Sequence, residues 1–125
     1  MKNGADSIQV FSDLELLKKT AKKWDGNKRL MLAERGGKTI DGFDLGNSPL
    51  SVTKETVQGR RLFMSTTNGT KSLKKVQNVE NLFAMSLPNR KAVAERIISL
   101  NKKNVLFLGS GWAVSYTHLT LPTKA

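Results

Sequence analysis

Three short segments hold the residues of this chain best suited to chemistry: Glu34-Arg35-Gly36-Gly37-Lys38, Thr66-Thr67-Asn68-Gly69-Thr70 and Gly109-Ser110-Gly111-Trp112. Each follows an apolar, strand-like run and offers small residues and backbone amides. The second and third also stand where a helix would begin, and unpaired amides with a positive helix end favour anions there. Arg35 adds a planar fork of donors that matches a phosphate, sulfonate or carboxylate. Carboxylates nearby are Glu34, Asp41 and Asp44. Asp44 lies in the middle of a long loop and could help hold Mg²⁺, whose shell takes one or two carboxylates beside waters and phosphate oxygens. An arginine, hydroxyls, glycine amides and a carboxylate describe a site for a multiply anionic small molecule with a metal ion. Plainer readings stand beside each. Asn68-Gly69 is a strong hairpin signal, Gly36-Gly37 between charged residues is an ordinary surface turn, and Asp44 could simply organise its loop through an Asx turn.

Other chemistries are excluded. There is no cysteine, which removes disulfides, thiol catalysis, zinc fingers and iron–sulfur clusters. The one histidine, His118, falls in a tail that reads as foreign, which leaves no Ser/His/Asp triad. No Walker A sequence and no Gly-x-Gly-x-x-Gly occurs, so a nucleotide enzyme is not supported. Twenty-one basic against ten acidic residues give a formal net charge of +11, which raises nucleic acid or another polyanion as a partner. Lys18, Lys19, Lys22 and Lys23, however, lie off the stripe of Leu14, Leu17, Ala21 and Trp24, as on a solvated helix face. Lys71, Lys74 and Lys75 lack the interleaved aromatics that read single strands. A basic, non-catalytic polyanion-binding domain is therefore the alternative rather than the first reading.

The elements that must position these loops follow from patterning. Ile8 to Phe11 reads as a strand, and Ser12-Asp13-Leu14-Glu15 as a capping box that opens a helix to about Lys23. Arg29 to Ala33 is a buried strand, and Glu34 to Val52 a long loop too rich in turn formers to be regular. Arg60 to Ser65 is a strand and Lys71 to Val76 has helical spacing, which argues against the hairpin at Asn68-Gly69. Leu82 to Leu87 is expected as a further apolar strand, Pro88-Asn89 as a helix start, Val93, Ile97 and Leu100 as the stripe of a helix of about 12 residues, and Val105 to Leu108 as the last strand. Short apolar strands alternating with amphipathic helices predict an α/β fold, a mostly parallel sheet with helices packed on its faces, and ligands bind such sheets beyond the carboxyl ends of the strands. At 125 residues the chain fits one domain or a piece of one. No apolar run approaches the roughly 20 residues that span a bilayer, so a cytoplasmic protein without membrane contact is expected.

Glu34-Arg35-Gly36-Gly37-Lys38, then Gly42-Phe43-Asp44-Leu45-Gly46-Asn47-Ser48-Pro49, then Thr66-Thr67-Asn68-Gly69-Thr70, and finally Gly109-Ser110-Gly111-Trp112, resemble in order and spacing the 2-phosphosulfolactate phosphatase family. The resemblance covers roughly Asn3 to Trp112. It implies a Mg²⁺-dependent phosphatase that converts 2-phospho-3-sulfolactate to 3-sulfolactate and phosphate, a step of coenzyme M biosynthesis. Carried onto this sequence, Glu34, Arg35 and Asp44 are the expected catalytic residues, with Glu34 and Asp44 also supporting the metal. Gly36, Gly37, Asn47, Ser48, Thr67, Asn68, Gly69, Thr70, Gly109 and Ser110 are the expected substrate contacts. The partner is a small phosphate- and sulfonate-bearing anion; nucleic acid is not expected, and a homo-oligomer stays open. Members of the family carry a further strand upstream and more α/β structure after the Gly-Ser-Gly-Trp motif. Residues 1–113 are accordingly expected to be part of one phosphatase domain, incomplete at both ends and inactive alone. Residues 114–125, which resemble translated sequencing adapter, are expected to be a foreign or disordered tail.

Overall fold

A computed structural model describes residues 3–110. Strand β1 is Ser7–Val10, helix α1 Leu14–Ala21, strand β2 Arg29–Arg35 and strand β3 Lys38–Thr39. Helix α2 (Lys54–Val57), strand β4 (Arg61–Ser65), helix α3 (Gly69–Lys75) and helix α4 (Arg90–Ser99) follow. The sheet order is β1-β4-β2-β3. β4 pairs in parallel with both β1 and β2, and β3 pairs antiparallel with β2, so the sheet is mostly parallel and open, as patterning predicts.

The period-2 alternation of strands divides the core between the two faces. Leu62 packs with Ala5, Leu30, Leu32 and Val57 in one cluster, whereas its neighbour Phe63 packs with Phe11, Leu17 and Ala21 in the other. The register sets Leu30 opposite Leu62 and Met31 opposite Phe63, so both clusters are continuous across the β2/β4 pair. Helix α1 closes the Phe63 face with Leu17 and Ala21, both fully buried. Burial of a leucine side chain stabilises the fold by about 2 kcal/mol. The other two members of the expected stripe contribute less: Leu14 is half-buried, and Trp24, beyond the end of the helix, lies against the Arg61 guanidinium at 3.9 Å. Lys19, Lys22 and Lys23 are exposed, as expected of a solvated face, whereas Lys18 is half-buried with its ammonium 5.5 Å from the centre of the Phe43 ring.

Several boundaries differ from expectation for local physical reasons. The α1 cap is Asp13 and not Ser12: the Asp13 carboxylate accepts the Glu15 and Leu16 amides at 2.8 and 3.0 Å. Glu34 and Arg35 end β2 instead of opening a loop, because Gly36 and Gly37, at φ +60° and +81°, turn the chain into a tight hairpin with β3. Two consecutive left-handed residues are what a two-residue hairpin needs, and glycine reaches them without a Cβ clash. Asn68-Gly69 makes no hairpin; α3 begins at Gly69.

The expected strands at Leu82 to Leu87 and Val105 to Leu108 do not form. A strand exists only with a ladder partner and a covered face. Both segments lie outside the sheet with Leu82, Phe83, Leu106 and Phe107 exposed. Val93, Ile97 and Leu100 are the least exposed positions around α4, so the stripe is where spacing puts it, but none is buried. Residues 114–125, with the expected domain limit at 113, lie outside the described residues, as do Gly111, Trp112 and His118.

Candidate anion site at the carboxyl ends of two parallel strands

Ala33 of β2 and Ser65 of β4 are paired at the carboxyl ends of adjacent parallel strands. The β2–β3 turn and the β4–α3 loop therefore leave the sheet side by side, which brings two of the three sequence motifs together although about thirty residues separate them in the chain. Parallel pairing of this kind is what makes the carboxyl edge of an open sheet a binding crevice.

Glu34 is the centre of the contacts there. The residue is only 8% exposed, and its carboxylate faces four donors. Oε1 accepts the Gly37 amide at 2.6 Å and the Thr67 hydroxyl at 3.0 Å. Oε2 accepts the Thr67 amide at 3.4 Å and Asn47 Nδ2 at 3.5 Å. The Gly37 amide, and then the Thr67 hydroxyl and amide and the neighbouring Arg35 charge, hold the carboxyl below its ordinary value against the opposing effect of burial. Glu34 is thus ionised at neutral pH.

Arg35 leaves the sheet in the opposite direction along the pleat and is pinned by two acceptors. Nη1 donates to the Glu34 carbonyl at 2.8 Å and Nη2 to the Ser65 hydroxyl at 3.1 Å. Ser65 is fully buried. Two of the five guanidinium N–H groups are committed in this way, and the planar fork is fixed in place with donors to spare. Ser65 is the residue that motif reading missed; its signal was a hydroxyl at the buried end of an otherwise apolar strand.

The β4–α3 loop is held by its own hydroxyls. Thr70 is buried, and its hydroxyl donates to the Thr66 carbonyl at 3.0 Å while accepting the Thr66 amide at 3.4 Å. The Thr70 amide donates to Thr66 Oγ1 at 3.2 Å. Thr67 commits both its donors to Glu34. The amides of Asn68 and Gly69 bond to no other described residue. These two amides and the uncommitted N–H groups of Arg35 are donors of the cluster that a ligand can meet.

The long loop of Ile40 to Val52 is ordered by its contacts with β2. Asp44 exchanges hydrogen bonds with Met31, its Oδ2 accepting the Met31 amide at 2.7 Å and its own amide donating to the Met31 carbonyl at 2.9 Å. Ala33 donates to the Leu45 carbonyl at 3.0 Å. Met31 precedes Glu34 by three residues, about 10 Å of strand, so Asp44 and Glu34 are not brought together. Gly46 approaches β3 so closely that a Cβ there would stand 2.6 Å from Thr39 Oγ1. That approach delivers Asn47 to Glu34. Ser48 is exposed at the head of a 3₁₀ turn, Pro49–Ser51, and Gly109 and Ser110 are exposed and share no hydrogen bond with the cluster.

As a metal site this donor set is poor. Both oxygens of Glu34 already accept from protein donors, Asp44 is committed through one oxygen, and among the described residues no three His, Cys, Asp or Glu side chains converge. What the arrangement offers is a pinned guanidinium and, in the neighbouring loop, two amides with no partner among the described residues, donors of the kind that suit an anion.

Comparison with known proteins gives the family. Residues 1–118 match the family model described as 2-phosphosulpholactate phosphatase. A probable 2-phosphosulfolactate phosphatase of Prochlorococcus marinus (strain SARG) is 59% identical over 117 residues, 94% of this chain and 48% of that protein. Proteins of the same description from P. marinus (strain MIT 9313) and Synechococcus sp. (strain CC9605) are each 50% identical, over 94% and 92% of this chain and 48% and 47% of their own lengths. The chain spans about half the length of the curated relatives it matches. With the family model matched over nearly its whole length, the chain belongs to the 2-phosphosulpholactate phosphatase family.

Proposed function

We propose that the whole protein to which this chain belongs hydrolyses the phosphomonoester of 2-phospho-3-sulfolactate. Water attacks phosphorus, the bond from phosphorus to the C2 oxygen breaks, the leaving oxygen takes up a proton, and 3-sulfolactate and inorganic phosphate result. The observation that carries the reading is Arg35, pinned by Ser65 and the Glu34 carbonyl at the carboxyl ends of two parallel strands with donors still free. In phosphoryl transfer the protein's work is largely to position groups and to meet charge on the equatorial oxygens, which a fixed guanidinium does without reorganising. The Asn68 and Gly69 amides would take further oxygens of the phosphate or sulfonate. A place for this step in coenzyme M biosynthesis, in the cytoplasm, belongs to the same proposal.

Mg²⁺ dependence is part of it too. When bound, the ion would supply a Lewis acid to the phosphoryl oxygens. The described residues hold no convergent ligand set for it, and at most the free oxygen of Asp44 or the exposed Asp41 would join a shell of waters and substrate oxygens. No role assigned to Arg35, Asn68 or Gly69 depends on the ion.

The test is phosphate release from 2-phospho-3-sulfolactate by the whole protein, with and without chelator and added Mg²⁺. Arg35→Ala is expected to lower kcat/KM by about 10² to 10³, the magnitude of losing one fixed charge-stabilising donor. Arg35→Lys should recover only part of it, since a lysine is a point charge without the fork. Unchanged kcat/KM in Arg35→Ala, or absence of release by the wild-type protein, overturns the reading.

A further inference from the structure

We infer that Glu34 is a positioning residue, which locks three separate segments around Arg35, and neither a metal ligand nor a proton-transfer group; this rests on the phosphatase reading for its catalytic consequence alone. The Gly36-Gly37 turn, the Asn47 end of the long loop and the Thr67 loop share no hydrogen bond with one another, and each is tied to the same carboxylate. The Thr67 hydroxyl, 3.5 Å from the Glu34 carbonyl, lies beside the same oxygen that Arg35 Nη1 takes at 2.8 Å. Glu34 therefore fixes the frame of Arg35 through its backbone and the frame of the amide-bearing loop through its side chain. Both oxygens of this buried carboxylate already face protein donors, closely at Oε1 (2.6 and 3.0 Å) and more loosely at Oε2 (3.4 and 3.5 Å). A metal ion or a substrate proton at either oxygen would have to displace Gly37, Thr67 or Asn47.

Glutamine in place of Glu34 keeps the shape and one acceptor but sets an NH₂ group against neighbouring N–H and O–H donors. The whole-protein Glu34→Gln variant is expected to show at least tenfold faster amide exchange in peptides covering 36–47 and 66–70, with the peptide covering 14–21 of α1 unchanged. It should lower kcat/KM for 2-phospho-3-sulfolactate by about 10- to 100-fold and leave the Mg²⁺ concentration for half-maximal activity within about twofold, a split that tenfold rates and unmoved metal affinity make easy to read. Thr67→Val, which deletes one of the four donors and keeps Glu34, should move the same two peptides in the same direction to a smaller extent. That variant decides the matter should Glu34→Gln fail to fold. A tenfold or greater rise in the half-activating Mg²⁺ concentration, unchanged exchange in both loop peptides, or a uniform rise that includes α1 overturns the inference. A wild-type protein that releases no phosphate defeats the phosphatase reading instead, and the exchange result still judges the lock.

Discussion

At the scale of single residues, the site joins one pinned guanidinium to two buried groups that hold its surroundings, and these should fail differently. Ser65→Ala removes the acceptor for Arg35 Nη2 but leaves the guanidinium half-exposed and able to find water. The stability cost should be about 0.5 to 1.5 kcal/mol by chemical denaturation, while, on the proposed phosphatase activity of the whole protein, KM for 2-phospho-3-sulfolactate should rise more than kcat falls, because the fork now has to be ordered on binding. Glu34 carries a pH signature. Its carboxyl sits below the ordinary value of 4.5 in the folded state, so its contribution to stability is complete above that value and is lost as pH falls through the lowered one. The stability difference between wild type and Glu34→Gln, followed by denaturant titration, should therefore be constant near neutrality and shrink only below about pH 4.5; a difference that does not change on acidification would remove the ionised lock. Arg35 and Glu34 were legible in the sequence as residue types in a suggestive loop. The tie from Glu34 to Thr67 was not, since it spans thirty-three residues and depends on two strands lying side by side.

Among the elements, what local chemistry dictates was legible and what a distant partner dictates was not. β1, β2, β4, α1 and the start of α3 follow from apolar runs, turn residues and spacing, because their partners are one another. Leu82 to Leu87 and Val105 to Leu108 have the same composition and remain outside the sheet, for a strand is a pair property. The finer errors were competitions between neighbours: Ser12 and Asp13 are both good caps, and the carboxylate one residue nearer to Leu14 takes both amides. Asp13→Ala should therefore cost about 1 kcal/mol of stability and Ser12→Ala a few tenths at most, a ranking that paired melting curves would settle. The loop over β2 offers a sharper case. Gly46→Ala puts a methyl 2.6 Å from Thr39 Oγ1, so β3 or the loop has to move. The expected result is a modest loss of stability with a disproportionate loss of activity, since the movement carries Asn47 away from Glu34. Unchanged activity would mean that the Thr39 side chain simply rotates and the loop keeps its place.

For the molecule as a whole, the informative feature is apolar surface left uncovered beside a strongly basic composition. Among the described residues β1 has one strand neighbour, and Ile8 and Val10 on it are 50% and 44% exposed. Next to them runs a groove of about 480 Å³ lined by Val10, Phe11, Leu16, Leu73 and Leu82. A parallel edge strand with exposed aliphatic side chains is a template for pairing with another strand, and patches of this kind mark surfaces that take a partner or aggregate. Opposing that, a formal charge of +11 makes copies of the chain repel one another, and salt shortens the range of the repulsion to about 10 Å at 0.1 M. The two effects together make a signed prediction for the 125-residue chain. Its mass by analytical ultracentrifugation should be nearest 13.8 kDa in dilute, low-salt solution and should rise with both protein concentration and added salt. Val10→Lys, which sets a charge on the free edge, should suppress the rise. A polyanion-binding domain behaves with the opposite sign, since its complexes dissolve as salt is added. Association that weakens with salt, or that Val10→Lys leaves untouched, would show that the uncovered edge is not what draws the copies together.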